Sequence, residues 1–93
     1  MEIVLSRLAY QDLEAIIHFI ADENGNPKMA QTIKDTIFAD LRQLQDYPKS
    51  GRKGRVKGTR ELVLTYNSYV AVYRVSPDRI EIARVLHTSR KYP

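Results

Sequence analysis

Cysteine is absent from the chain, which excludes a disulfide framework and thiolate metal sites and leaves packing alone to hold the fold. No apolar run approaches the roughly 20 residues that a membrane span requires, and Met1–Ser6 lacks the basic and long apolar regions of a secretory leader. A soluble, cytoplasmic protein with no membrane contact is the expectation. At 93 residues there is room for a single domain, residues 1–93, with one modest core, so elaborate multi-domain chemistry is excluded. What remains is ordinary globular material, 43% hydrophobic and 28% charged, a balance that argues against wholesale disorder.

The net charge of +4 conceals an asymmetry. Residues 1–48 carry four basic and eight acidic groups, a net −4, whereas residues 49–93 carry eleven basic and three acidic, a net +8. A positive field confined to one half of a chain attracts polyanions: nucleic acid, ribosome or an acidic protein. Its densest part is Lys49, Arg52, Lys53, Arg55, Lys57 and Arg60, six cations within twelve residues and no acid among them. Such a cluster can neutralise several phosphates at once, with sequence-independent and salt-dependent affinity, or it can meet an acidic partner.

The order of elements follows from periodicity and punctuation. Glu2–Leu5 reads as a short strand, and Ser6 suits the cap of a helix whose stripe is Leu13, Ile16, Ile17 and Ile20. Gly25, Asn26 and Pro27 supply a left-handed stop, an N-cap and a first helical residue, which together spell a helical hairpin. A second helix buries Ala30, Ile33, Ile37, Leu41 and Leu44 and ends near Tyr47, since Pro48 disfavours the helical conformation before it. Phe19 and Phe38 lie near the stripes and are assigned to the core. Lys49–Gly58, with three glycines and Val56 as its sole apolar residue, reads as an exposed, flexible loop. Thr59–Leu64, Tyr69–Val75 and Arg79–His87 are strands split by turn signals, an antiparallel meander. The expected fold is α+β: a two-layer β-α-α-β-β-β arrangement, an antiparallel sheet with a helical hairpin packed on one face and the other face partly open.

That order resembles RelE/ParE toxins of bacterial type II toxin-antitoxin systems over nearly the whole chain. The resemblance is carried by Leu5-Ser6 with Asp12-Leu13, Tyr47-Pro48 followed by Gly51-Arg52, Gly58-Thr59-Arg60-Glu61-Leu62, Val72-Tyr73-Arg74-Val75, and Arg84-Val85-Leu86-His87. It implies a growth-arresting protein neutralised by a cognate antitoxin, with operator DNA contacted only through that antitoxin, and it implies no cofactor and no metal site. Two activities stay open. RelE-type members cleave mRNA on the ribosome, and ParE-type members inhibit DNA gyrase. Arg84-Val85-Leu86-His87 is similar to the ParE branch, while the basic loop and the ending Lys91-Tyr92-Pro93 are similar to RelE relatives.

Metal-independent RNA cleavage needs a proton acceptor for a 2′-hydroxyl, a proton donor for the leaving oxygen, and cations to hold charge on phosphorus. The expected catalytic set is His87 and Tyr92 for proton transfer with Arg60, Arg84 and Arg90 for phosphate charge. Lys49, Arg52, Lys53, Arg55 and Lys57 are the expected nucleic-acid or partner contacts. This reading is placed slightly ahead of gyrase inhibition, against one departure: RelE-type nucleases carry an arginine at the start of the third strand, where this chain has Tyr69. Strict alternation puts Arg60 on the face of Leu62 and Leu64, and puts Arg84 with Ile80, Ile82 and Leu86. An arginine there requires either a bulge or a carboxylate partner at the edge of the core. The acidic character expected of the antitoxin follows from the +8 half, which would speed the encounter.

Overall fold

The computed structural model describes residues 1–23, 25–66 and 68–89. Its elements are β1 (Glu2–Leu5), α1 (Arg7–Glu23), a short 3-10 turn (Pro27–Met29), α2 (Ala30–Asp46), β2 (Arg52–Lys53), β3 (Arg60–Val63), β4 (Tyr69–Val75) and β5 (Arg79–His87). One five-stranded sheet has the order β1-β5-β4-β3-β2, and the two helices cover one of its faces. The α+β expectation holds, with two corrections. The sheet is mixed rather than antiparallel, because β1 runs parallel to β5. The Lys49–Gly58 segment is also no plain loop, since Arg52–Lys53 form β2 against β3.

Local chemistry explains the helix ends. The Ser6 hydroxyl accepts from the Ala9 N–H at 3.0 Å and donates to the Ala83 carbonyl at 2.7 Å, so one side chain caps α1 and ties it to β5. Gly25 takes φ +64°, a conformation glycine adopts without steric cost, and Asn26 accepts from the Lys28 N–H ahead of Pro27. The α2 helix stops at Asp46, two residues before Pro48.

The core lies between the hairpin and the sheet. Ile33, Ile37, Leu41 and Leu44 of α2 and Ala9, Leu13 and Ile16 of α1 meet Ala71 and Tyr73 of β4 and Ile80, Ile82 and Val85 of β5. Fully burying a side chain such as Ile33 or Leu44 stabilises the fold by roughly 1.5–3 kcal/mol. Phe38 packs against this cluster, but Phe19 does not: it is 54% exposed, because its position falls just off the buried stripe of α1. Buried Asp40 accepts from the Thr65 backbone N–H and hydroxyl, both at 2.7 Å, and so anchors the β3–β4 turn to α2.

Tyr73 fastens the chain that follows α2. Its hydroxyl donates to the Pro48 carbonyl at 2.8 Å and accepts from the Gly51 N–H at 2.9 Å. A Cβ on Gly51 would stand 2.6 Å from that hydroxyl oxygen and 2.8 Å from the Glu61 carbonyl oxygen, so only glycine fits there.

Candidate functional site

The β5 strand decides where the expected catalytic residues go. Its register against β4 shifts at Val72/Tyr73: Val72 pairs with Arg84 and Tyr73 with Ile82, leaving Ala83 as the extra residue of a bulge. A one-residue slip exchanges the two faces of a strand from that point on. Ile80 and Ile82 point into the core before the bulge, and Val85 does so after it. Arg84 and Leu86 are thereby moved to the face opposite the helices, and His87 to the helix side.

Arg84 turns round the edge of β5 to Asp12 of α1. Its Nε and Nη2 donate to the two carboxylate oxygens at 2.8 and 3.0 Å, and the same carboxylate accepts from the Val85 N–H at 2.9 Å. Both routes open to this arginine, a bulge and a carboxylate partner, are realised together. The hydrogen bond to Asp12 is the main reason its pKa is raised, with partial burial opposing and the Coulomb attraction of the same carboxylate adding to the rise. Such a bidentate pair satisfies the guanidinium within the fold.

His87 stands apart from that pair. Its ring meets Tyr69 edge-on, centroids 5.3 Å apart at 85°, beside Phe19 and Glu23 of α1. Nδ1 accepts from the Ser89 N–H at 3.1 Å and lies 2.7 Å from the Ser89 hydroxyl. This local contact turns one ring nitrogen of His87 toward Ser89. Tyr69, in place of the arginine of the RelE pattern, is a buried residue whose phenol pKa is raised by burial and then by Glu23.

Arg60 lies on the leucine face, as alternation requires, opposite Tyr73. Its Nη1 donates to the carbonyls of Gly51 at 2.8 Å and Lys49 at 3.3 Å, which braces the chain entering β2. Arg60, Arg84 and His87 therefore do not converge on one reacting centre. Arg90 and Tyr92 lie outside the described residues. The face opposite the helices is less open than expected. Val70, Val72 and Leu86 are each only 3% exposed, and the β2–β3 segment brings Val56 over Val72 and Leu86 in a groove flanked by Arg74 and Arg84.

The basic segment is organised rather than flexible. Glu61, 4% exposed, accepts from Arg52 Nε and Nη2 at 3.3 and 3.1 Å and from the Arg55 N–H at 3.3 Å. On the other side of the same ribbon, Lys49, Lys53, Lys57 and Arg60 line a cup of about 400 Å³ with no carboxylate among the described residues of its wall. Sequence reasoning found these cations but missed Asp12 and Glu61, the two acids that decide which arginines are neutralised. Glu61 carried a usable signal, being the only acid between Lys49 and Asp78.

Among the described residues no helix is long and apolar enough to cross a membrane. Residues 3–92 match the family model described as ParE toxin of type II toxin-antitoxin system, parDE. This chain belongs to the ParE toxin family. Relatives agree within the wider RelE/ParE superfamily. The chain is 41% identical to Y4kP of Sinorhizobium fredii, for which a toxin role is proposed, over 76% of this chain and 73% of that one. It is 34% identical to Toxin RelE3 of Caulobacter vibrioides, over 70% and 72% of the two chains. Its fold is similar to a chain of the chromosomal ParDE TA system from P. aeruginosa, with TM-score 0.82, 29% identity, and 94% and 95% of the two chains covered. This ParE-family protein is thus a type II toxin with an antitoxin as its partner.

Proposed function

We propose that this ParE-family toxin acts in the cytoplasm and arrests growth by binding DNA gyrase, without bond-breaking chemistry of its own. One observation carries the reading: of the side chains expected to handle phosphate and protons, the three described ones are held by different partners within the fold, Arg84 by Asp12, Arg60 by two backbone carbonyls and His87 by Ser89. A nuclease needs its acid, base and cations within reach of one phosphate. The branch of the matched family supports the same reading.

The second reading is ribosome-dependent mRNA cleavage by His87, Tyr92 and the arginines. It draws support from the relative named RelE3 and from the basic segment. A gyrase supercoiling assay beside toeprinting of stalled ribosomes separates the two. Gyrase inhibition is expected to lose supercoiling with mRNA intact, and His87→Ala is expected to keep full growth arrest. Codon-specific cleavage abolished by His87→Ala would overturn the proposal.

The antitoxin is expected to be acidic where it meets the positive half of the chain, and to bury apolar surface as well, because rim charges alone add little affinity. Changing Lys53, Arg55 and Lys57 together to glutamine should slow its association and flatten the salt dependence of the rate. An unchanged salt slope in stopped-flow mixing would count against an acidic segment over this surface.

A further inference from the structure

The cup beside β2 has an arrangement that stability does not explain. Lys53 and Arg60 are directly opposed cross-strand neighbours, a like-charge placement that weakens a ribbon. Lys49 and Lys57 join them in the same concavity. Lys49, Lys53 and Lys57 form no ion pair with any described residue. One position along the ribbon, Arg52 faces Glu61 and is neutralised. The strand pleat has sorted the basic residues, with a carboxylate for one side and none for the other.

The segment is also stiff. The Gly54 N–H donates to the Thr59 carbonyl at 2.8 Å, the Thr59 N–H and hydroxyl donate to the Val56 carbonyl at 3.1 and 2.6 Å, and the Arg55 N–H is held by Glu61. Gly58 turns the chain with φ +83°, and a Cβ on Gly54 would collide with the Thr59 hydroxyl. Holding cations on a closed loop lowers the ordering cost of binding.

We infer that this cup is a preformed phosphate-binding site. Lys49, Lys53 and Lys57 supply the ammonium donors, and Arg60, held by the Lys49 and Gly51 carbonyls, braces the loop beside them. The cavity, about 400 Å³, falls within the range of sites that enclose small ligands. A terminal phosphate brings up to about two negative charges and three acceptor oxygens to one point, and a nucleic-acid backbone brings one charge at each of several adjacent phosphates, where an isolated carboxylate brings one charge. Convergence of three lysines on one concavity matches a phosphate ligand better than a single carboxylate. The phosphate can belong to a nucleic-acid backbone or to a free nucleotide. The inference does not depend on which target the toxin arrests.

The test uses the full chain, with amide chemical shifts followed during addition of inorganic pyrophosphate, of ATP, and of a short DNA duplex. Shifts centred on Lys53, Gly54, Lys57 and Gly58 are expected. If the source is a backbone, duplex affinity falls with salt and pyrophosphate competes with it. If the source is a nucleotide, ATP saturates the site and the duplex does not. Lys53→Gln with Lys57→Gln should weaken the bound phosphate ligand at least tenfold at low salt. For the duplex it should also reduce the log–log salt slope by about 2, because each ammonium group removed leaves one phosphate with its counterion. Lys34→Gln on α2 should change neither. The inference is overturned if no phosphate probe shifts these amides, if the double variant binds like the parent, or if poly-glutamate occupies the cup more tightly than pyrophosphate. The last result would reassign it to an acidic protein segment.

Discussion

Arg52 faces Glu61 across β2 and β3, and one residue along, Lys53 faces Arg60. The first pair is a cation over a buried carboxylate that also holds the loop backbone. The second pair is two cations on the wall of a cup that has no acid among its described lining residues. Arg84 belongs with the first kind, since Asp12 satisfies it through two bonds. The contrast shows that basic residues in this chain have two employments. Where a carboxylate or a backbone carbonyl is supplied, as for Arg52, Arg84 and Arg60, the cation serves the fold, and the lysines of the cup are left for a ligand.

The largest break in that contrast is Asp12→Ala. It leaves the Arg84 guanidinium and the Val85 N–H without their acceptor, and hydrogen bonds to charged groups contribute about 1.5–3 kcal/mol. Because the Arg84 side chain is 35% exposed, the expected loss is about 2 kcal/mol rather than the larger figure for a fully buried pair. Urea unfolding measures it, and a loss indistinguishable from zero would place Arg84 among the solvated cations. The raised pKa of Arg84 adds no pH dependence in the ordinary range. Its stabilisation is fully present below the unfolded value, which is itself strongly alkaline, and is lost only as pH rises through the folded value.

Glu61→Gln should cost less, about 1 kcal/mol, because Arg52 is 61% exposed and solvent screens that pair. Its sharper signature is faster amide exchange at Arg55, whose N–H the carboxylate holds. Protection equal to that of the parent would mean that the loop closes without Glu61.

Lys53→Gln should act with the opposite sign. Relieving a like-charge cross-strand pair is expected to raise stability by a few tenths of a kcal/mol, most visibly at low salt. A loss of stability would show that Lys53 has a structural partner after all and would remove the contrast.

The smallest effect is confined to alkaline solution and concerns Tyr69, whose folded pKa is raised above 10.0 by burial and Glu23. Stability should be level up to about pH 10, then fall as the unfolded phenol ionises before the folded one does. Tyr69→Phe should abolish that decline in a thermal-melting series, and a decline of the same size in the variant would assign it to other groups.

Much of the fold was legible because its signals act within a few residues. The Ser6 cap, the Gly25-Asn26-Pro27 junction, the stop before Pro48 and the two apolar stripes each depend on neighbours no more than about one helical turn away. The same holds for the β3–β4–β5 meander, whose short turns force antiparallel pairing. Phe19 was misplaced because a stripe's edge is set by the surface it meets, which periodicity does not contain.

The sequence by itself thus determined the helical hairpin, the strands of the meander, the family pattern and the concentration of cations after Lys49. Only the tertiary structure decided what those cations do. A bulge at Ala83 reverses which face each later residue of β5 occupies, and alternation read along one strand has no knowledge of an extra residue opposite another. Asp12 and Arg84 meet across 72 positions of chain, a pairing made possible because β1 ends at Leu5 opposite Ile82 and leaves the later edge of β5 to α1. The parallel seat of β1, the short β2 and the sorting of Arg52 from Lys53 likewise arise from strand edges brought together over distance. Local preference sets each element's type, and long-range packing sets the neighbours that each charged side chain meets.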